Sequence, residues 1–132
     1  MHVAGCFGLT ELGYGNNAVE METTATFDAA TDEFVVHSPS PLSMKYWITN
    51  SAVHAHICVV FAQLVTKGEQ HGVHAVLVRI RNTDGSICPG VTIHDMGAKQ
   101  GLPAVVCAPP CRAPGPGLTA WLRWVARRER CR

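Results

Sequence analysis

The chain has 132 residues, of which 47% are hydrophobic and 16% charged, and its formal net charge is +1 at pH 7. This composition favours one globular domain and excludes a chain that is disordered throughout. No apolar run approaches the roughly 20 residues that cross a bilayer, and the amino terminus lacks the basic start and apolar core of a secretory signal. We therefore expect a soluble, intracellular chain without a membrane span.

The charge is divided unevenly along the chain. Residues 1–101 carry five basic and nine acidic side chains, a net charge of −4, whereas residues 102–132 carry six arginines and one glutamate, a net charge of +5. Five of the eight prolines and three of the six cysteines also lie in the second segment, which has no lysine. We predict a folded domain over residues 1–101, followed by a Pro/Arg/Cys-rich tail over residues 102–132 that packs poorly or not at all.

Two early strands are predicted to form a hairpin. Residues 23–27 and 34–37 are rich in β-branched and aromatic side chains, and residues 28–32 between them supply turn chemistry.

Two longer strands are predicted over residues 58–65 and 73–80, joined by a polar loop over residues 67–72, and a last short strand over residues 90–95. The long strands are almost continuously apolar, so we expect both of their faces to be covered. The side chains expected in the core are Val59, Phe61, Val76 and Val78. Short strands with regular turns predict an all-β domain, an antiparallel β-barrel or sandwich.

The tail offers a weak helical pattern. Residues 118–130 could form a short basic helix, with Trp121, Trp124 and Val125 on one side and arginines on another. Helices that bind membrane surfaces or nucleic acid have this pattern, but so does sequence that was never selected for structure. Because the rest of the chain is acidic and repels phosphate, we expect no nucleic-acid partner.

A glycine-rich stretch follows the first apolar residues and delivers Thr10 and Glu11 into a loop that contains Gly13, Gly15 and Asn16. Such a loop lets the backbone approach a ligand closely, while Thr10 offers a hydroxyl and an amide. An ordinary strand followed by a glycine turn would show the same pattern.

A second stretch combines aromatic and polar side chains. Tyr46 and Trp47 are followed closely by Thr49. Aromatic side chains beside a directed hydroxyl suit a flat conjugated cofactor, which needs a stacking wall and donors aimed at its ring edge. The alternative is that Trp47 fills the core.

Together these stretches carry a family resemblance. Six blocks, over residues 10–17, 23–28, 33–39, 60–64, 72–75 and 89–91, succeed one another at the spacing found in the middle domain of peroxisomal acyl-CoA oxidases. The match covers residues 3–101. It implies the β-domain that lies between two helical domains in the acyl-CoA oxidase and dehydrogenase superfamily and holds one side of FAD and part of the acyl-CoA thioester.

The resemblance also implies roles for individual residues. Those matched to the flavin side of the site are Thr10, Glu11, Gly13, Trp47 and Thr49, and those matched to the acyl-CoA side are Gly15 and Asn16. Thr10 resembles the threonine that contacts the flavin, and Trp47 the aromatic residue packed on its ring. Thr49 departs from the oxidases, which usually have glycine there, and Trp-Ile-Thr-Asn is similar to the acyl-CoA dehydrogenase pattern.

The reaction implied by the resemblance converts a fatty acyl-CoA to the trans-2-enoyl-CoA, with O2 reoxidising the flavin and forming hydrogen peroxide. The family's catalytic glutamate belongs to a helical domain outside this match, so we assign no catalytic residue here, and Glu11 is not taken as the base. A dehydrogenase-type domain and a non-catalytic truncated product are the alternatives. The resemblance further implies homodimers and a peroxisomal location, although the chain ends without a Ser-Lys-Leu type signal, which leaves the cytoplasm as the alternative.

The histidines and cysteines leave one more alternative, a zinc site. His54 and His56, His71 and His74, and Cys107 and Cys111 are closely spaced pairs. None of these pairs repeats in a recognised finger spacing, and the six cysteines show no framework of paired spacings. We expect reduced thiols and no metal.

Overall fold

The computed structural model describes residues 3–101 together with the backbone of residues 105–106 and 124–127. The strands in this part of the chain are β1 (Gly5–Gly8), β2 (Thr24–Asp28), β3 (Glu33–His37), β4 (Ile48–Thr49), β5 (Ile57–Thr66), β6 (Glu69–Arg79), β7 (Val105–Val106) and β8 (Trp124–Arg127). Two 3-10 turns, Ala18–Glu20 and Pro41–Ser43, are its only helical elements. The predicted all-β class is confirmed. No helix in these residues has the length and apolarity needed to span a membrane.

β5 organises the main sheet. One of its edges pairs with β6 in antiparallel orientation, and its other edge pairs in parallel first with β1 and then with β2. β3 and β8 extend the sheet beyond β2, and β4 pairs separately with β7. Six of the described strands therefore form an open, mixed sheet. This corrects the expectation of a wholly antiparallel barrel or sandwich, because β1 and β2 both enter the sheet in the direction of β5.

The β2–β3 hairpin is confirmed close to its predicted bounds. Phe27 pairs with Phe34 across it, and their ring centroids lie 5.2 Å apart. The turn is closed by the side chain of Asp28, whose carboxylate accepts a hydrogen bond of 2.9 Å from the backbone N–H of Ala30. This is the local side-chain bond that makes aspartate a turn residue.

The β5–β6 hairpin is also confirmed, but its loop is much shorter than predicted. Only Lys67 and Gly68 lie between the strands, and both have positive φ, +52° and +82°. Two-residue loops with positive φ at both positions match the right-handed twist of the flanking strands. Residues 69–72, expected in the loop, therefore belong to β6.

The core lies on one face of this sheet. Its buried members are Ala25, Val36, Ala55, Cys58, Val60, Ala62, Val78 and Ile80. Val78 is a core residue as predicted, and Val76 packs against the core while partly buried. Val59 and Phe61 are only half-buried, since alternation along β5 turns them to the opposite face from its three core residues. The prediction for these two side chains is wrong.

Within residues 3–101, the opposite face of the sheet keeps large apolar side chains exposed. Phe7 is 58% exposed and Leu77 is 62% exposed, and β1 and β6 place both beside Val59 of β5. The expectation that both faces of the long strands are covered is therefore wrong for the described part of the chain.

The segments beyond β6 differ from the predictions. Residues 90–95 form no strand, because the chain turns at Gly90, which has φ +78°, and then packs Val91 and Ile93 partly buried against the core. In the tail, the backbone of β7 pairs with β4 and that of β8 with β3. The expectation that the tail packs poorly or not at all is therefore wrong for these six residues. β8 is extended where a helix over residues 118–130 was expected, and the rest of that range lies outside the described residues.

Neighbouring residues of β6 provide a test of this core. Val78 is 1% exposed and Leu77 is 62% exposed. We expect Val78→Ala to lower the free energy of unfolding by about 2 kcal/mol, because two buried methyl groups are lost and a cavity remains. Leu77→Ala should change it by less than about 0.5 kcal/mol. Urea unfolding followed by circular dichroism measures both, and equal losses would contradict the assignment of the core face.

Candidate functional site

The two stretches singled out from the sequence lie side by side. The chain leaving β1 runs antiparallel to the chain approaching β4. The Tyr46 N–H donates to the Thr10 carbonyl at 2.8 Å, and the Gly13 N–H donates to the Leu42 carbonyl at 2.8 Å. The fold thus places Thr10 beside the backbone of Tyr46, one residue before Trp47.

The buried side chain of Glu11 connects these two stretches through hydrogen bonds in the interior of the domain. Its carboxylate is fully buried and accepts hydrogen bonds from the backbone N–H groups of Glu22 and Thr23, at 2.9 and 3.0 Å, and from Lys45 Nζ at 2.9 Å. Lys45 also donates to the Leu9 carbonyl at 3.1 Å. Burial lowers the pKa of Lys45, and the Glu11 carboxylate opposes that shift. The Glu11 side chain is therefore engaged within the fold.

The glycine-rich turn after Glu11 is exposed but anchored. Gly15 has φ +49°, and both Gly15 and Asn16 are exposed. The Tyr14 hydroxyl donates to the Glu22 carboxylate, which also accepts a hydrogen bond of 2.6 Å from Ser40 Oγ. These bonds lower the pKa of Glu22, and the bond to Glu22 raises the pKa of Tyr14 to about 12. The turn carrying the residues matched to acyl-CoA is thus held at a fixed position.

Trp47 has an unusual backbone conformation for a bulky residue. Its φ is +66°, and its side chain is 45% exposed. The ring lies 6.4 Å from that of Tyr46, at an interplanar angle of 32°. The alternative that Trp47 fills the core is therefore wrong. Non-glycine residues with positive φ are uncommon and cluster at functional sites, and an exposed indole offers a flat apolar surface to a ligand.

Thr49 lies close to Trp47 at the end of β4. It is exposed, while its neighbour Ile48 is buried. The next residue, Asn50, has φ +63° and donates from Nδ2 to the Gly5 carbonyl at 3.5 Å, which ties the end of β4 to β1. The structure thus brings the Thr10 segment and the segment of Trp47 and Thr49 to one side of the domain.

Arg81 supports this segment and was not predicted from the sequence. It is 4% exposed and donates from Nη1 to the carbonyls of Ser51 and Ala55, at 2.7 and 2.9 Å, and from Nη2 to the carbonyl of Ala52. Its guanidinium thus fastens the loop that follows Thr49. Nothing in the sequence distinguishes it from a surface arginine at the end of an apolar strand.

The histidine pairs considered for zinc do not form a metal site. In residues 3–101, no group of three or more histidine, cysteine, aspartate or glutamate side chains is placed to hold a metal ion. His71 instead shares a hydrogen bond of 2.7 Å with Thr66 Oγ1, and His74 Nδ1 lies 3.2 Å from the Gly72 carbonyl. Cys107 and Cys111 lie outside the described residues.

Comparison with known proteins identifies the domain. A family model described as "Acyl-CoA dehydrogenase, middle domain" matches residues 6–110, which is most of the chain. The chain belongs to this family. The match extends past residue 101, and the domain boundary placed there stays a prediction.

Acyl-CoA oxidases are among the most similar relatives of this middle domain. "Acyl-coenzyme A oxidase 3, peroxisomal" of Arabidopsis thaliana is 48% identical over 103 residues, which are 78% of this chain and 15% of that protein. The structure of acyl-CoA oxidase 3 from Yarrowia lipolytica matches with a TM-score of 0.76 and 33% identity over 93% of this chain and 16% of that chain. The acyl-CoA oxidase resemblance is confirmed.

A solved structure with bound ligands belongs to the same group. Acyl-CoA oxidase-2 of Caenorhabditis elegans, bound with FAD, ascaroside-CoA and ATP, matches with a TM-score of 0.75 and 34% identity over 80% of this chain and 16% of that chain. The middle domain described here thus spans about one sixth of the length of these relatives.

Gly13 provides a test of how closely the two segments of the middle domain approach. A Cβ atom built on Gly13 would lie 2.7 Å from Leu42 Cβ. We expect Gly13→Ala to lower the free energy of unfolding by about 1–3 kcal/mol, because the backbone must move to relieve this overlap. Gly5→Ala is the control, since its nearest atom, the Ile57 carbonyl oxygen, is 3.4 Å away. Equal urea midpoints for the two variants would contradict the close approach.

Proposed function

We propose that this chain is the middle-domain part of a flavin-dependent acyl-CoA oxidase, in which it supplies one wall of the FAD site and part of the acyl-CoA site. The observation that carries the proposal is the exposed side chain of Trp47, whose backbone has positive φ and directly follows Tyr46, the residue that bonds the Thr10 carbonyl. The identity with named acyl-CoA oxidases supports it. FAD and fatty acyl-CoA are the proposed ligands.

The exposed Trp47 ring and the nearby hydroxyls support a flavin as the ligand. An isoalloxazine ring is flat and apolar on its faces and carries hydrogen-bonding atoms along its edge, so it needs a stacking wall and a few donors. In our proposal the Trp47 ring is the wall, and the hydroxyls of Thr10 and Thr49 donate to the ring edge. Bound FAD would accept the hydride from the β-carbon of the acyl group.

The other residues matched to the site have supporting roles in this proposal. Glu11 fixes the backbone of Thr10 through its buried bonds, and Gly13 lets that backbone lie against Leu42. Gly15 and Asn16 are exposed on the anchored turn and are available to the acyl-CoA. We assign no base among these residues, since the carboxylate nearest to Thr10 in sequence is fully buried.

Thr49 is the one position that favours the dehydrogenase alternative. A threonine fills space beside the ring that a glycine would leave open, and its hydroxyl can bond the flavin edge. We retain the oxidase as the proposal because the named relatives are oxidases. Because named relatives are peroxisomal, we propose a peroxisomal location for the full protein, with the cytoplasm as the alternative. From the family resemblance we also propose that it is a homodimer.

Flavin binding tests the proposal directly. We expect the 132-residue chain to bind FAD weakly and to release no peroxide with palmitoyl-CoA, because it supplies one wall of the site. Trp47→Ala and Thr10→Ala should each weaken FAD binding, measured by flavin fluorescence titration, whereas Thr26→Ala, at an exposed position of β2, should not. Failure of the unmodified chain to bind FAD, or equal binding by all three variants, would overturn the proposal.

The role of Thr49 is testable in a chimera that supplies the helical domains of a related oxidase. We expect Thr49→Gly to accelerate reoxidation of the reduced flavin by O2, because space beside the ring is opened. The lost hydrogen bond is worth about 0.5–1.5 kcal/mol, so flavin reduction by substrate should slow by about tenfold at most.

Stopped-flow spectroscopy separates these two half-reactions. Thr49→Ser is the matched control, since it keeps the hydroxyl and should leave flavin reduction nearly unchanged. If Thr49→Gly reoxidises at the original rate, Thr49 does not restrict oxygen, and the dehydrogenase-like pattern at this position has no bearing on the electron acceptor.

A further inference from the structure

Two cysteines face each other across β1 and β5. Cys6 and Cys58 are directly paired in the parallel ladder, and both lie on the core side, where Cys58 is 5% exposed and Cys6 packs against the core while partly exposed. Neighbouring strands lie about 4.8 Å apart, within the Cα separation of roughly 4.4–6.8 Å that disulfides span. The backbone is thus already placed for a cross-strand disulfide, although both are thiols in this structure.

The surroundings make the two thiols chemically different. Interaction with the Cys58 side chain and the nearby charge of Arg81 lower the pKa of Cys6 against the effect of its burial, whereas interaction with Cys6 and burial raise the pKa of Cys58. The Cys6 thiol donates to the Ile57 carbonyl at 3.8 Å. Lys45 lies near Cys58, since a Cβ atom on Gly8 would be 3.4 Å from Lys45 Cγ and 3.5 Å from Cys58 Sγ, and its charge partly opposes the rise of the Cys58 pKa. A thiolate-prone, partly exposed cysteine beside a second thiol is the arrangement of redox-reactive pairs.

We propose that Cys6 and Cys58 form an oxidation site that reduces a peroxide and ends as a disulfide between β1 and β5. The Cys6 thiolate attacks one oxygen of the peroxide, the O–O bond breaks, and the other oxygen leaves with a proton as water or an alcohol. The Cys58 sulfur then attacks the resulting Cys6 sulfenic acid, and water leaves with the Cys58 proton. Two electrons pass from the two sulfurs to the peroxide, which balances the reaction.

The disulfide would restrain the chain that leads into the candidate flavin site. Cys6 precedes Thr10 by four residues on the strand that delivers it. A cross-link would therefore fix the path of the chain into the Thr10–Gly13 segment. The oxidation itself requires neither FAD nor acyl-CoA, so its test is independent of the proposed function.

The test uses the full chain with its other four cysteines replaced, as Cys88→Ser, Cys107→Ser, Cys111→Ser and Cys131→Ser. We expect hydrogen peroxide to lower the titre of free thiols from two to zero per folded chain. Mass spectrometry should show the loss of two hydrogens and a peptide joining Cys6 to Cys58, and dithiothreitol should reverse both changes.

Single variants in this background separate the two thiols. Adding Cys58→Ser should stop the reaction at a Cys6 sulfenic acid that dimedone traps, and adding Cys6→Ser should leave Cys58 largely unreacted. The proposal would be overturned by any of three results: both thiols persist, each is oxidised without a disulfide between them, or the disulfide forms equally fast in urea. If the background variant does not fold, peptide mapping of the oxidised natural chain decides instead, and absence of the Cys6–Cys58 peptide would refute it.

Discussion

Replacing Glu11 with glutamine is expected to lower the free energy of unfolding by about 3–5 kcal/mol, because removal of one partner leaves the other charge of a buried pair unpaired. The Lys45 ammonium would stay buried at 2.9 Å from a neutral amide. The amide can also turn an N–H group toward the backbone N–H groups of Glu22 and Thr23, which both donate to the present carboxylate. Urea unfolding followed by circular dichroism measures the loss.

Two further variants make the Glu11 result specific. Glu20→Gln changes the same functional group at an exposed position in a 3-10 turn and should cost less than about 0.5 kcal/mol. The double variant Glu11→Gln, Lys45→Met removes both charges and should recover part of the stability, since a buried pair can often be replaced by apolar side chains at little cost. Equal unfolding midpoints for Glu11→Gln and Glu20→Gln would show that the pair does not stabilise the fold.

The stability of Glu11→Gln also helps to decide whether Glu11 is a base or a positioning residue. A glutamate so close to the proposed flavin site is an obvious candidate for a base, but its carboxylate is fully buried and engaged by three donors. If Glu11→Gln unfolds the chain while Glu20→Gln does not, Glu11 acts by holding the Thr10 segment against the Lys45 segment. It is then a positioning residue in our proposal.

The hairpins could be predicted because their determinants are local. β-Branched and aromatic side chains mark β2 and β3, and the aspartate that bonds the turn lies between them. The parallel pairing of β1 with β5 could not be predicted in this way. The two strands are separated by about 50 residues of sequence, and their register depends on contacts across the whole domain rather than on a turn.

The face that each side chain takes was harder to predict than the strands themselves. β5 is apolar at nearly every position, so its sequence has no alternation from which to decide that Cys58 and Val60 lie inside while Val59 and Phe61 lie outside. In β2, by contrast, the buried Ala25 is flanked by threonines, and the alternation is visible in the sequence.

For the candidate site, the sequence drew attention to glycine, threonine and aromatic side chains, but not to the interior position of the charged residues that support them. The glycine loop and Trp47 each fit an ordinary structural role when taken alone, and the sequence pointed to them only through the combined pattern of the two stretches. The bond between Glu11 and Lys45 and the bonds of Arg81 to carbonyls depend on long-range packing. Charged side chains are usually exposed, so a sequence alone gives no reason to place these three in the interior.

Replacement of Arg81 by methionine is expected to lower the free energy of unfolding by at least about 3 kcal/mol, because each buried carbonyl left without a donor costs about 1–3 kcal/mol. The carbonyls concerned are those of Ser51, Ala52 and Ala55. Methionine keeps much of the volume of the arginine stem, so the loss reports the hydrogen bonds rather than a cavity. Urea unfolding by circular dichroism measures it.

The matched control is Arg79→Met, two residues earlier at the exposed end of β6, which should cost less than about 1 kcal/mol. Arg81→Lys keeps the positive charge but cannot reach three carbonyls with one ammonium group, so it should lie between the two methionine variants. If Arg81→Lys were as stable as the unmodified chain, a buried positive charge would be enough to stabilise the loop after Thr49. The several hydrogen bonds of the guanidinium would then not be required. If it falls as far as Arg81→Met, the geometry of the guanidinium is what positions the loop after Thr49.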